Sequence, residues 1–216
     1  MRVVIFAGGT YRQGKASQKA IANADMLIAA DSGAETALRL GHVPSYIVGD
    51  FDSLDKQLVE QLRTRGSRII SAAVEKDETD TELAVQLAIE QGATEITLLG
   101  ALGGERFDHT IANVLLLAGY DNVPIKIIDG SSTCWLLRGP GSTTIEGQTG
   151  DLLSLFPLAG DATGIHTRGL YYPLRGETLR FGKPRGVSNE LTGERAEVSL
   201  ESGLLLVIHN TEVDAQ

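Results

Sequence analysis

Three aspartates and a serine crowd the stretch YIVGDFDSLD, residues 46–55, directly after a short apolar run. Asp50 and Asp52 are separated only by Phe51, and carboxylates held this close repel unless a cation sits near both. A second acidic stretch, EKDETDTE at 75–82, contributes Asp80. Magnesium takes one or two carboxylates and completes its shell with water and phosphate oxygens. Asp50, Asp52 and Asp80 are therefore candidate ligands of Mg2+ and, through it, candidate catalytic residues. Plainer readings stand beside this one. Asp55 and Asp77 occupy places where helix caps are common, Ser53 suits a turn, and a solvated loop can tolerate Asp50 next to Asp52.

The stretch GALGGERFDH, residues 100–109, carries a different chemistry. Gly103 and Gly104 allow a backbone to approach a phosphate, and a following helix N-terminus favours an anion. Arg106 adds a planar set of donors for phosphate oxygens. Asp108 can cap the helix, hold Arg106 or reach a metal through water, and His109 reads as a structural helix-start residue. At the N-terminus, Gly8 and Gly9 follow the apolar run VVIFA. The segment GTYRQGKA nearly matches a phosphate-binding loop, but Ala16 stands where the magnesium-binding hydroxyl belongs. This predicts a glycine-rich turn beside a nucleotide rather than a true phosphate-binding loop. Asp31 and Gly33, in ADSGAE, belong to a further loop of this kind.

These loops need a scaffold that gathers them. VVIF, MLIAA, YIVG, RIISAA, ITLLGAL and IKIID read as strands buried on both faces. Between them lie segments with apolar residues at helical spacing, several ending at a glycine (Gly41, Gly66, Gly92, Gly119). Alternating strand and helix implies an α/β domain with a parallel sheet over residues 1–130, and in such sheets ligands bind outside the carboxyl ends of the strands. From 131 to 216, glycine, proline and threonine divide short apolar runs, which predicts an all-β domain, a sandwich or a barrel. ESG at 201–203 is expected to turn a tight hairpin. Trp135 and Cys134 are assigned to the β core, and Tyr171 and Tyr172 to strand or interface packing.

Bulk properties exclude several classes. Over 216 residues, 42% are apolar and 22% charged, with a net charge of −9. That balance argues against general nucleic-acid binding, which needs a basic face. No apolar run reaches the length of a membrane span, and the N-terminal run reads as a strand rather than a leader. The single cysteine, Cys134, rules out an internal disulfide and fits a reducing, cytoplasmic setting. His42, His166 and His209 show no zinc spacing.

Taken in order, DSGAETALRLGHVPSYIVGDFDSL, KDETDTELAVQLA, LGALGGERFDHTIANVLLL and GVSNELTG resemble the thiamine pyrophosphokinase family. The resemblance covers most of the chain, and Gly-Asp-Phe-Asp-Ser and Gly-Gly-x-x-x-Asp-His are its most diagnostic elements. It implies transfer of diphosphate from ATP to the hydroxyl of thiamine, giving thiamine diphosphate and AMP, by a homodimer whose α/β and β domains from different subunits form the active site. It places Asp50, Asp52 and Asp80 on metal and catalytic positions, Arg106 and Asp108 on the glycine-rich loop, and Ser188 and Asn189 on the thiamine-contacting segment. Where some relatives carry an aromatic soon after that pair, this chain has Glu190 and Leu191. Three alternatives are weighed against it: a pyrophosphokinase for another alcohol such as a pterin hydroxymethyl group, a metal-dependent phosphodiesterase, and a non-catalytic nucleotide sensor.

Overall fold

Strand and helix alternate through the first of two units, Met1–Gly130, and among the described residues strands alone build the second, Ser131–Gln216. The structure is a computed structural model that describes residues 1–51, 54–73 and 75–211. Asp52 and Ser53 therefore lie outside the described residues. No helix is long and apolar enough to cross a membrane.

In the first unit the order is β1 (Arg2–Phe6), α1 (Lys15–Ala22), β2 (Met26–Ala30), α2 (Gly33–Arg39), β3 (Tyr46–Gly49), α3 (Lys56–Thr64), β4 (Arg68–Ser71), α4 (Asp80–Glu90), β5 (Glu95–Leu99), α5 (Phe107–Leu116) and β6 (Ile125–Asp129). The six strands are parallel and lie side by side as β6-β5-β1-β2-β3-β4. Val3 to Phe6 of β1 are all buried, because both faces of the sheet are covered. Val4 and Phe6 pack with Ala34 and Ala37 of α2 and Leu62 of α3. Residues 3 and 5, which point the other way along the pleat, are buried as well. Asp55 caps α3 by accepting from the Gln57 N–H at 2.8 Å. The cap of α4 is Thr79, not Asp77, and its hydroxyl accepts from the Glu82 N–H.

One expectation fails at the sheet edge. Arg68 to Ser71 of β4 are mostly exposed or half-buried, although RII reads like the other strands. The chain leaves β4 at the outer edge and returns to β5 on the far side of β1. The connecting helix α4 consequently packs across β3, β2 and β1, and this long crossover brings the start of α4 to the pole where β2 and β3 end.

The second unit contains β7 (Ser132–Arg138), β8 (Gly141–Glu146), β9 (Leu152–Pro157), β10 (Ala162–Arg168), β11 (Arg175–Leu179), β12 (Asn189–Glu190), β13 (Arg195–Leu200) and β14 (Leu204–Asn210). They form two antiparallel layers, β12-β9-β14-β7 and β11-β10-β13-β8. Leu153, Leu155, Leu205 and Val207 from one layer meet Ile165, Leu179, Ala196 and Val198 from the other in a single core, and Trp135 packs against its margin. Cys134 is buried. Residues 201–203 do not make a hairpin. They carry the chain from β13 in one layer to β14 in the other, with Gly203 at φ 104° and the Glu201 and Ser202 N–H groups both donating to the Thr163 carbonyl. Turn-forming residues report a change of direction without saying which layer receives the next strand.

Leu153 and Val198 are fully buried on facing layers. Leu153→Ala is expected to lower unfolding free energy by about 3 kcal/mol, as large-to-small core substitutions do. Urea denaturation followed by circular dichroism would measure it.

Candidate active site

The carboxyl ends of the parallel strands bring four separate loops together. The β1 ladder continues past its end: the Ala7 N–H donates to the Leu99 carbonyl at 2.8 Å, and the Gly9 N–H to the Gly100 carbonyl at 2.9 Å. A Cβ on Gly9 would stand 2.5 Å from the Gly100 carbonyl oxygen, and one on Gly33 would stand 2.0 Å from that of Phe6. Neither position admits a side chain. The Ser32 hydroxyl reaches back to the Gly8 carbonyl at 3.4 Å. The loops after β1, β2 and β5 are thus packed backbone against backbone, at the point where strand order reverses from β1 outward. That crevice is where open α/β sheets bind ligands.

Acidic groups rim the same pole. Asp31 follows β2, and its N–H donates to the Val48 carbonyl at 2.8 Å, which sets it beside the end of β3. Its Cβ is 3.3 Å from where a side chain on Gly49 would begin. Asp50 follows at once. Asp31 (φ 45°) and Phe51 (φ 59°) both adopt the left-handed backbone region, which costs an L-residue roughly 1–2 kcal/mol. Strain of this kind concentrates where a loop is held for function. Asp80 is the first residue of α4, and its Oδ1 accepts from the Lys76 ammonium at 2.5 Å. The two side chains are only 13% and 25% exposed, so the pair binds the β4–α4 connection to the first turn of the helix. Oδ2 of Asp80 carries no hydrogen bond among the described residues. Among those residues no three carboxylate, imidazole or thiol groups gather into a cation cage.

Arg106 and Asp108 form an exposed pair of their own. Nε and Nη2 of Arg106 both donate to the carboxylate, the shorter contact being 2.6 Å. The guanidinium holds Asp108 down at about 2, and the carboxylate raises Arg106. The Gly103 N–H donates to Thr110, and buried Asn113 donates to the Ala101 carbonyl at 2.8 Å, so α5 fixes the glycine loop from behind. His109 lies exposed in the first turn. Ser17 is fully buried, bonded to Tyr11 and to Gly14. Its hydroxyl is engaged within the fold.

Three groups at this pole were not singled out from the sequence. One is Lys76. The others are Asp129, which ends β6, and Arg12, which makes a 2.9 Å ion pair with it. A signal for Asp129 was present, since MLIAAD, YIVGD and IKIID all close an apolar run with aspartate. The 117 residues separating Arg12 from Asp129 concealed the pairing.

In the second unit Ser188 is also left-handed (φ 55°), and its N–H donates to Ser154 Oγ at 3.0 Å. The Asn189 amide brackets the backbone of Tyr172: Oδ1 accepts from its N–H at 3.0 Å, and Nδ2 donates to its carbonyl at 2.7 Å. The amide that would suit a ligand's edge is thus engaged in holding Tyr172. The rings of Tyr171 and Tyr172 meet edge to face at 4.8 Å and stand 64% and 68% exposed. Behind the segment, the Leu191 N–H donates to the Asp151 carbonyl, and buried His209 meets Asp151 Oδ2 at 2.9 Å.

Because the folded pKa of Asp108 lies below its ordinary 3.8, whatever its pairing contributes is present above that value and is lost as pH falls through about 2. Carbon-detected NMR titration should therefore place the Asp108 midpoint near 2. In Arg106→Gln the midpoint should return to the ordinary carboxylate range.

Comparison with known proteins adds a separate line of observation. A family model described as thiamin pyrophosphokinase, catalytic domain, matches residues 17–128. Another, described as thiamin pyrophosphokinase, vitamin B1 binding domain, matches 142–205. Among curated proteins, thiamine pyrophosphokinase of Bacillus subtilis (strain 168) is 31% identical over 188 residues, covering 86% of this chain and 87% of that one. Thiamine pyrophosphokinase 1 of Arabidopsis thaliana is 28% identical over 181 residues, covering 80% and 67%. Among solved structures, the thiamine pyrophosphokinase of Bacillus subtilis superimposes with a TM-score of 0.87 at 28% identity, over 99% of this chain and 100% of that one. The thiamin pyrophosphokinase of Geobacillus thermodenitrificans gives 0.85 at 29%, over 100% of both.

Proposed function

We propose, from the premise that the chain belongs to the thiamine pyrophosphokinase family, how its own residues carry out diphosphate transfer from ATP to thiamine. In the reaction the thiamine hydroxyl oxygen bonds to the β-phosphorus of ATP. The bond from that phosphorus to the oxygen it shares with the α-phosphorus breaks, AMP leaves with that oxygen, and the hydroxyl proton passes to solvent. Catalysis of such a transfer is chiefly positioning and neutralisation of charge.

The observation that carries the assignment of roles is the convergence of the β1, β2, β3 and β5 loops on one pole. There the glycine backbones of residues 8–9 and 103–104 leave room for phosphates, and Arg106 supplies donors from the rim. Asp31 and Asp50 follow the ends of β2 and β3, and Asp80 opens α4. Their hard oxygen donors suit magnesium, which prefers few carboxylates and completes its shell from phosphate and water. Asp50, Asp80 and Asp52, the last outside the described residues, are the groups that would hold it. When bound, magnesium stabilises charge building on the leaving oxygen. Asp50 would also orient the attacking hydroxyl. Thiamine carries a cationic thiazolium, so an acidic rim attracts the acceptor as well as the metal. Ser188 and Asn189 shape the thiamine-contacting segment, Asn189 by fixing the chain at Tyr172. The lone buried thiol, Cys134, suits a cytoplasmic enzyme.

The working form is a homodimer. Support comes from α5, where Phe107, Ile111 and Leu115 recur at every fourth residue with their side chains exposed. This is a stripe at helical spacing that a second copy would cover. Ile111→Glu with Leu115→Glu should move the chain to the monomer boundary in sedimentation velocity.

For the chemistry, AMP should appear from ATP only when thiamine is added, and chelation of divalent ions should stop it. Asp50→Asn, Asp52→Asn and Asp80→Asn should each lower kcat by about 100-fold or more while circular dichroism stays that of the wild type. Near-normal turnover in any one of them would remove that residue from the mechanism.

A further inference from the structure

Arg12 lies in the loop after β1, and both its backbone and its side chain are tied to the end of β6. The Gly130 N–H donates to the Arg12 carbonyl at 3.2 Å. Nη1 donates to Asp129 Oδ2 at 2.9 Å. Asp129 is only 8% exposed, and its Oδ1 has no hydrogen-bond partner among the described residues. Burial pushes this carboxyl up, and Arg12 opposes the shift. A buried carboxylate with a single cationic partner is a poor way to stabilise a fold, because desolvation offsets most of the attraction. A bolt between a loop and a strand end would be better made from apolar side chains.

The position of the guanidinium suggests a different purpose. Its Nη2 is 4.0 Å from where a Cβ on Gly103 would stand. It therefore lies against the glycine loop, on the side of β1 where strand order reverses. The side chain is 65% exposed, and apart from Nη1 its donors make no hydrogen bond among the described residues. Arg106, by contrast, has Nε and Nη2 committed to Asp108. Gly103 and Gly104 present no side chain between Arg12 and the crevice. A planar cation anchored through one nitrogen, with its side chain exposed beside bare backbone, is suited to phosphate oxygens.

We propose that Arg12, stationed by Asp129, is a ligand for the phosphates of the nucleotide at the reversal of strand order beside Gly103. The proposal rests on reading the chain as an ATP-dependent diphosphotransferase. Asp129 touches no substrate and acts as a positioning residue through Arg12.

The test is calorimetric titration of the full chain with α,β-methylene ATP and magnesium, run alongside thiamine-dependent AMP release. Arg12→Lys keeps the charge beside Asp129 but loses the planar fork. The double variant Arg12→Gln with Asp129→Asn leaves no unpaired buried charge and so separates loss of binding from loss of fold. Both should bind the analogue about tenfold more weakly or worse, as expected for one charge-assisted contact. KM for ATP should rise in step, and KM for thiamine should stay within about twofold. Asp129→Asn alone should shift the same constants in the same direction by less. Analogue affinity within about twofold of wild type in both Arg12 variants would overturn the proposal and leave the diphosphotransferase reading standing. Weakened binding in a wild-type background that releases no thiamine-dependent AMP would keep Arg12 as a nucleotide ligand and overturn the activity instead. Absence of analogue binding to the wild type would remove both.

Discussion

Backbone contact at the carboxyl end of β1 is the constraint on which the rest of the first unit depends. Carbonyls of Phe6 and Gly100 come so close to Gly33 and Gly9 that a single methyl group would part them. Because these loops touch through main chain, their separation is set by peptide geometry, which varies little, and not by side-chain rotamers, which vary a great deal. Asp50 adjoins Gly49, and Asp31 and Arg12 lie within three residues of Gly33 and Gly9 in that rigid frame. A site that must bring a polyanion and its counter-charges to one place benefits from carboxylates whose positions are inherited from the sheet. Left-handed backbone at Asp31 and Phe51 is a local cost of that arrangement, tolerable because the strands behind it are buried on both faces.

The second unit reaches a comparable rigidity by other means. Around Ser188 and Asn189, close-packed glycine is joined by side chains: a Cβ on Gly186 would stand 2.4 Å from the Leu155 carbonyl oxygen, and polar side chains stand in for a sheet ladder. Asn189 offers Tyr172 one acceptor and one donor, as a neighbouring strand would. Ser154 receives the N–H of Ser188, and the buried pair of Asp151 and His209 supports the turn at 148–151 that receives Leu191. A short two-residue strand, β12, is thereby held at the margin of its layer by contacts more numerous than its length suggests.

Much of this was legible from residue types and spacing, and the failures have physical causes. Continuous apolar runs separated by amphipathic ones identify a covered parallel sheet, and the shift to short runs broken by glycine identifies the sandwich. Loops carrying Asp31, Asp50, Asp80 and the pair Gly103–Gly104 could be placed at one pole because every parallel strand shares a direction. Burial of β4 could not be judged, since RII gives no sign of being last in the sheet. The hairpin expected at 201–203 failed for a related reason: local turn chemistry is blind to the layer the chain enters next. Lys76 and Arg12 escaped notice because their significance is pairwise. Arg12 looks ordinary until the fold brings Asp129 beside it from 117 residues away, and Lys76 looks ordinary until the first turn of α4 sets Asp80 beside it. Asn189 shows the converse, a polar side chain whose donors and acceptor look available in sequence and are occupied in the fold.

The edge strand β4 has a consequence for the behaviour of the protein in a crowded cell. An open sheet margin is a template onto which another chain can add a strand. This one spans just four residues and carries Arg68, whose guanidinium lies 5.6 Å above the ring of Tyr46 and donates to its hydroxyl. A short margin with a fixed positive charge at its start gives an incoming strand little to pair with and a cation to bury. The shortness of β4 and its fixed charge thus offset the risk of self-polymerisation that its exposure creates.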